Sequence, residues 1–503
     1  MNELELEWHK YKYFEYEKEL AYSEIETLLC PKEIITTKKG VKLIGNFDAE
    51  LAKRLVYFSK INNEENISDT IQSELESSQV LSESKKRQFT RYSVHGLHEY
   101  KGKFNPQIVK SILNIFDAKK GDRLLDPFCG SGTSLCESSL MGIQAEGTDI
   151  NPMAVYLSNA KISALNTNSI DLETSFLSIQ KKWNKKDIEL NEENERIKYL
   201  LKWFPRDILI KAEQIKIYLN KLPKSHSTIF LALVSDMLRE YSLQEPRDLR
   251  IRKRKSPMPD IPFEKAIEDK VFKFLTVLKN AQKITGVLNT DSFALLKDNR
   301  TYEESLHLNK DFKKYDLAIT SPPYAMALPY IDTQRLSLVW LGLSKASDIK
   351  SLEASLTGSR ELNTKAKKEK ALDNLKSNSN LLPTETHHYC LSLEKSIGID
   401  DGFRRRAVPL LLYKYFSDMK MSFISIKRKL KIGGYYALIV GHNKTTLGGT
   451  TFHIETPQHL AIIAEQNGWK IKEMIPLQTY KRYELHSANA INSETLIILE
   501  NND

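Results

Sequence analysis

The chain alternates between short, almost wholly apolar runs and long stretches in which apolar residues recur every three or four positions. "RLLDPF" and "YDLAIT" are of the first kind, and both read as buried strands. "TSLCESSLMG" and "NPMAVYLSNAKISAL" follow the second pattern and predict helices. From about residue 88 the order becomes "RLLDPF" (strand), a glycine-rich turn, a helix, "GIQAEGTDI" (strand), then a helix. Strands separated by helix-length segments predict βαβ units and a parallel sheet. The sheet is expected to resume with "GVLNTDSF" and "YDLAITSPPY". It should close with "GGYYALIVG", "WKIKEMIPLQTYKR" and "ETLIILEN". The helix "AVPLLLYKYFSDMKMSFISIKRKL" precedes these strands, and "PQHLAIIAEQNG" falls among them.

Two segments interrupt this alternation. Residues 164–285 carry helical periodicity, as in "ERIKYLLKWF", "ILIKAEQIKIYLNKL" and "TIFLALVSDMLREYSL". Residues 346–402 form a second, polar insertion. Before the sheet, "YEKELAYSEIETLL" predicts a helix and "GVKLIG" a short strand. Residues 61–87 are rich in Ser, Glu and Asn and predict a linker. The expected organisation is a 1–87 N-terminal region, a first core half at 88–163, and the 164–285 insertion. A second half at 286–345, the 346–402 insertion and the remaining sheet at 403–503 follow.

Composition narrows the class. The chain has 503 residues, 41% hydrophobic and 28% charged, with a net charge of +9. That is an ordinary globular composition with a mild bias towards polyanion partners. The four cysteines, Cys30, Cys129, Cys136 and Cys390, have neither CxxC nor zinc spacing, so no metal is expected. Reduced thiols, a polar N-terminus and the lack of a long apolar run predict a cytoplasmic protein with no membrane association.

The candidate chemistry lies at strand ends. In "DPFCGSGT", Gly130 and Gly132 follow a strand and precede a helix, so backbone N–H groups can approach a ligand closely. The turn lacks the GK[ST] of a phosphate-binding loop, and Leu135 stands where a dinucleotide fold prefers a third glycine. Asp149 ends the next strand, where an acid can accept both hydroxyls of a ribose. As a simple alternative it caps the helix that follows. Asp291 is placed after a third strand, within reach of an adenine. In "TSPPY", two prolines stop a strand and fix what Ser321 and Tyr324 present. A rigid polar group beside an aromatic suits a flat, hydrogen-bonding base.

"DPFCGSGT" together with "TSPPY" resembles the AdoMet-dependent DNA amino-methyltransferases. "DPFCGSGT" is similar to their cofactor motif, "GTDINP" to the next, and "TSPPY" to the catalytic motif in its serine form. "HEYKGKFNPQIV" resembles the segment that closes over the methionine end of the cofactor. Serine-type members usually place the catalytic motif first, whereas here it comes second. The resemblance implies a Rossmann-like α/β methyltransferase sheet with helical insertions, binding S-adenosyl-L-methionine. The cofactor residues would be Lys103, Phe104, Asp126, Phe128, Gly130, Gly132, Thr133, Asp149, Ile150, Asp291 and Ser292. Ser321, Pro322, Pro323 and Tyr324 would form the catalytic loop. That loop would act on an exocyclic amino group of a flipped base, cytosine N4 in the first instance and adenine N6 as an alternative.

Carbon-5 methylation needs a cysteine nucleophile, which this loop lacks. Double-stranded DNA is the expected partner, together with a cognate restriction endonuclease in a restriction-modification system. Arg247, Arg250, Arg252, Lys253, Arg254 and Lys255 in "RDLRIRKRK", with Arg360 in "TGSRE", are candidate DNA contacts. "GFRRRAVP" is a further basic candidate, and His442 and Asn443 could line the base pocket. An RNA guanine-N2 methyltransferase is the main competing reading, since "ELAYSEIETLL" resembles N-terminal modules of those enzymes. An inactive nucleic-acid-binding relative is another.

Overall fold

A computed structural model describes residues 2–63, 66–77, 88–183, 188–248, 250–301, 314–326, 330–362, 364–478 and 493–502. The end of the expected linker, 78–87, and the "TYKR" end of the penultimate strand fall outside the described residues.

The strands, in chain order, are β1 (Asn2–Trp8), β2 (Glu33–Thr36), β3 (Gly40–Gly45), β4 (Phe58–Asn62), β5 (Ile67–Asp69), β6 (Arg123–Asp126), β7 (Gln144–Asp149), β8 (Phe293–Leu296), β9 (Tyr315–Thr320), β10 (Leu430–Gly441), β11 (Asn443–Leu447), β12 (Thr450–Ile454), β13 (Trp469–Gln478) and β14 (Ser493–Asn501). The first five form an antiparallel sheet in the order β2-β3-β1-β4-β5. Its helix Glu15–Leu29 is legible from periodicity, and β1 carries the alternation of a half-buried strand in "NELELEW", with Leu4 and Leu6 turned inward.

The main sheet has seven strands in the order β13-β14-β10-β9-β6-β7-β8. β8, β7, β6, β9 and β10 run parallel, and β14 lies antiparallel between β10 and β13. This is a doubly wound Rossmann-like α/β sheet. Its strands are apolar on both faces, as burial on both sides requires. Successive residues alternate between the two layers. Leu124, Leu317, Ile319 and Ile439 pack on one face, with the helices Pro106–Ile115, Thr133–Leu140 and Pro152–Leu165. Leu125, Ala318, Tyr436 and Leu438 pack on the other, with the long helix Val408–Lys429.

The linker expected at 61–87 is partly structured, as β5 and the helix Ile71–Ser77. The N-terminal sheet shares one hydrophobic core with the main sheet, from Leu4 and Leu43 through Ile112 to Leu124. Glu24 ties the two together, accepting the N–H of Val56 at 2.9 Å and the Asn114 side-chain amide at 3.2 Å. Burial pushes its carboxyl up to about 7.

Candidate active site

Strands β6, β7 and β9 end on one edge of the sheet, and a cleft opens there. The chain leaves β6 at Asp126 and turns through Gly130 (φ +50°) and Gly132 (φ +75°) into the helix Thr133–Leu140. Both glycines lie in the left-handed region, which costs other residues energy. Asp149, at the end of β7, receives the N–H of Gly130 at 3.0 Å and that of Asn151 at 2.8 Å. It therefore braces the turn while remaining on the cleft wall, and Asn151 serves as the helix cap. Burial pushes the Asp149 carboxyl up to about 6.

Seven of the expected cofactor residues line this one cleft: Lys103, Phe104, Asp126, Phe128, Gly130, Thr133 and Asp149. Ser321 and Pro323, from the loop after β9, line it too. Asp126 links the two halves. The Thr320 hydroxyl donates to its Oδ1 at 2.6 Å, and burial pushes its carboxyl up to about 6.

Four expected cofactor residues lie elsewhere. Gly132 faces the helix Pro152–Leu165 rather than the cleft. Ile150 is not among the cleft residues. Asp291 and Ser292 sit at the opposite edge of the sheet. β8 begins only at Phe293, paired with Glu146, and runs parallel to β7, so residues before it lie at its N-terminal end. The expected strand "GVLNTDSF" is instead largely a loop pinned by Asn166, which exchanges hydrogen bonds with Thr290. The Ser292 hydroxyl accepts from the Ala145 N–H at 2.9 Å and from Ser139 Oγ at 2.8 Å, a packing role. The strand's C-terminal end delivers Asn299 instead, whose side-chain amide donates to the Pro127 carbonyl at 2.5 Å. "FALLKDN" is the available signal, a short apolar run ending in polar residues.

Tyr100 lies in the segment expected to close over the cofactor, and it meets Tyr330, which the sequence does not single out. Their rings stack with centroids 6.4 Å apart and line the cleft. A Cβ on Gly130 would lie 3.4 Å from the Tyr100 ring, and one on Gly102 would lie 3.2 Å from Tyr330. The glycines thus let two aromatics close over the cradle.

In the proline loop, the Ser321 hydroxyl donates to the Ile439 carbonyl of β10 at 3.3 Å. That fixes its proton and leaves oxygen lone pairs for the cleft. Pro322 is buried. Tyr324 is half-buried outside the cleft lining, and its hydroxyl donates to Glu494 of β14 at 2.5 Å. Met326 holds φ +58°, and Arg360 Nε donates to its carbonyl at 2.7 Å. Arg360 thus grips the proline loop while staying exposed. His442 is held between Glu455 (2.7 Å) and Thr495 (2.9 Å), which makes it a brace for the loop after β10.

The basic run divides. Arg254 turns inward, donating to the carbonyls of Glu240, Ser242, Ser256 and Pro257. Lys253 lies 4.4 Å from the centroid of the Trp203 ring and donates to the Lys202 carbonyl. Arg252 pairs with Asp248 at 3.1 Å yet stays exposed, as do Arg247 and Lys255. Arg250 is partly exposed. Cys129 and Cys136 are buried, and burial pushes both thiols up, Cys136 to about 12. They are not poised as nucleophiles.

Among the described residues, no His, Cys, Asp or Glu cluster could hold a metal, and no helix is long and apolar enough to cross a membrane.

Residues 97–195 match the family described as RMKL-like, methyltransferase domain. The chain is 26% identical over 277 residues to the Type II methyltransferase M.MvaI of Kocuria varians, covering 50% of this chain and 59% of that protein. It is 25% identical over 422 residues to the Type II methyltransferase M.AvaI of Nostoc sp., covering 76% and 80%. A shorter match, 44% over 52 residues, is to the tRNA (guanine(10)-N2)-dimethyltransferase of Methanothermobacter thermautotrophicus, covering 10% and 16%. The match to M.MvaI thus spans under two thirds of that relative. Residues 97–195 are thus similar to a methyltransferase domain, and these similarities support S-adenosyl-L-methionine as the cofactor.

The cleft fits that group. Gly130, left-handed on the cleft wall, leaves backbone room, and a carboxylate stands at the end of β7. A carboxylate that accepts ribose hydroxyls must be ionised. AdoMet affinity is therefore expected to be flat above pH 7 and to weaken on acidification through about 6. Each unit below that value costs up to about tenfold. Calorimetric titration from pH 5 to 8 measures it, and Asp149→Asn should be weaker throughout and lack this pH dependence.

Proposed function

We propose that this protein transfers a methyl group from AdoMet to the exocyclic amino group of a base extruded from double-stranded DNA, at cytosine N4. One observation carries the reading. Ser321, on a loop stiffened by two prolines, faces the same cleft as Gly130 and Asp149. An amino-group acceptor and a nucleoside cradle therefore share one space.

AdoMet supplies an activated methyl on its sulfonium. The chain must hold the amino nitrogen in line with it, which is a positioning task. Ser321 Oγ, its proton engaged by Ile439, accepts one amino N–H. The Pro322 carbonyl accepts the other. Charge that develops on the nitrogen is stabilised by these two acceptors. Tyr324 offers a face for the extruded ring, and its bond to Glu494 sets the ring's orientation. The loop holds no cysteine, and the two thiols of the cofactor turn are buried, so carbon-5 chemistry has no nucleophile. The similarity to two Type II methyltransferases supports DNA as substrate. Exposed Arg247, Arg252 and Lys255, with Arg250 and Arg360, are the proposed phosphate contacts.

A second reading, transfer to guanine N2 of RNA, draws on the short match to the tRNA dimethyltransferase. Expression in a methylation-deficient host, followed by mass spectrometry of digested DNA and RNA, separates the readings. The expected product is N4-methylcytosine in DNA. N6-methyladenine alone would keep the site and change the base, and N2-methylguanine in RNA would replace the DNA reading.

A further inference from the structure

Residues 398–406 form a short segment ahead of the helix Val408–Lys429. Its backbone is tied down. Asp401 Oδ2 accepts the N–H groups of Gly398 and Gly448, both at 2.8 Å. Arg406 donates to the Asp401 and Ile399 carbonyls, both at 2.7 Å. Yet Ile399 is 93% exposed and Phe403 71% exposed. Single exposed apolar residues are common. Two large ones on an anchored loop, with arginines at 404, 405 and 406, form a different arrangement.

Two further observations place this loop at the site. Gly448 lies in the turn between β11 and β12, which extend the chain past the C-terminal end of β10, the edge where the cleft opens. Arg360, which holds Met326 of the proline loop, feels the positive charge of both Arg250 and Arg404. Three arginines from three distant parts of the sequence thus converge beside the proline loop. Glu353 lies near Arg250 as well as Arg335, Asp332 and Glu361, and burial above all, with the two carboxylates, holds its carboxyl up at about 7. Arg404 also lies 5.6 Å from the centroid of the Phe403 ring, joining a cation to the apolar tip.

We propose that Ile399 and Phe403 form a wedge that enters the base stack of a DNA duplex and holds open the gap left by the extruded base. Arg250, Arg360 and Arg404 receive the flanking phosphates. This rests on the DNA reading above. Apolar side chains inserted between base steps offset the cost of unstacking, and bordering cations fix the backbone. A membrane surface would need a broader apolar face than two residues on a tied loop.

The test compares wild type with Ile399→Ser/Phe403→Ser on two duplexes carrying the mapped target. One is fully paired, and the other has an abasic site opposite the target base, which removes most of the cost of extrusion. The double variant should lose about tenfold or more in kcat/KM on the paired duplex. It should recover to within about twofold of wild type on the abasic duplex, with unchanged AdoMet affinity. Equal activity of both proteins on the paired duplex overturns the wedge alone. An equal loss on both duplexes reduces the loop to a contact surface and also overturns it. Loss of AdoMet binding in the variant would make the loop part of the folded core, which likewise overturns the wedge. If wild type modifies neither duplex, or only RNA, the DNA reading fails and the wedge falls with it.

Discussion

Gly132→Leu should abolish measurable AdoMet binding and lower the melting temperature. Gly132 holds φ +75° at the start of the helix Thr133–Leu140. An L-residue held there costs about 1–3 kcal/mol in backbone strain. Its Cβ would stand 2.8 Å from Ser158 Oγ and 3.0 Å from Ser158 Cα. A hydroxyl can rotate away, but the Cα belongs to the neighbouring helix and cannot. Overpacking of this kind adds about 1–3 kcal/mol more. The disturbance reaches the cleft because the Ser158 hydroxyl donates to the Gly130 carbonyl at 2.9 Å. Moving Ser158 releases the glycine whose N–H is held by Asp149. Gly130→Ala should be milder, since φ is +50° and the nearest atoms are the Tyr100 ring at 3.4 Å. Calorimetry and thermal melting of both variants measure this. Unchanged affinity in Gly132→Leu would remove the turn from the cofactor site.

Ser321→Ala should lower kcat by about a hundredfold while leaving AdoMet affinity close to wild type. The variant deletes one of two acceptors for the amino group, and the loss of one such contact reaches that size. Residual activity is expected because the Pro322 carbonyl is untouched. Tyr324 divides into two variants. Tyr324→Ala removes the stacking face, worth about 1–3 kcal/mol per base, and should raise KM for DNA. Tyr324→Phe keeps the face and removes the hydroxyl that meets Glu494 and Ser321, so it should be the milder of the two. AdoMet affinity should survive in all three, because the proposed cofactor residues on the cleft wall come from the ends of β6 and β7 and the segment before them. Single-turnover kinetics with defined duplexes provide the numbers. Wild-type turnover in both Ser321→Ala and Tyr324→Ala would refute the proposed role of the loop.

Chain-local features are readable in the amino-acid sequence by itself. "RLLDPF" and "YDLAIT" are strands whose centres, Leu124–Leu125 and Leu317–Ile319, are short apolar runs buried on two faces. The turn at Gly130 and Gly132 and the stop at Pro322 follow from backbone chemistry that each residue carries with it. So do the helices that begin at Pro152 and Val408. These are enough to define an α/β sheet, a cofactor turn and a rigid polar loop.

What needed the third dimension was the partner of each group. A run such as "GVLNTDSF" does not say where its strand begins, and a start at Phe293 rather than Gly286 leaves Asp291 and Ser292 at the far edge of the sheet. Arg254 and Arg250 are indistinguishable by type, yet one is held by four carbonyls and the other converges with arginines 110 and 154 positions away. Tyr330 and Glu494 carry no local signal, because each matters only through a group brought to it from elsewhere in the chain. Periodicity and turn chemistry act over a few residues and are written in the sequence. Which side chains share a cleft depends on strand order and burial, and only the packed sheet decides it.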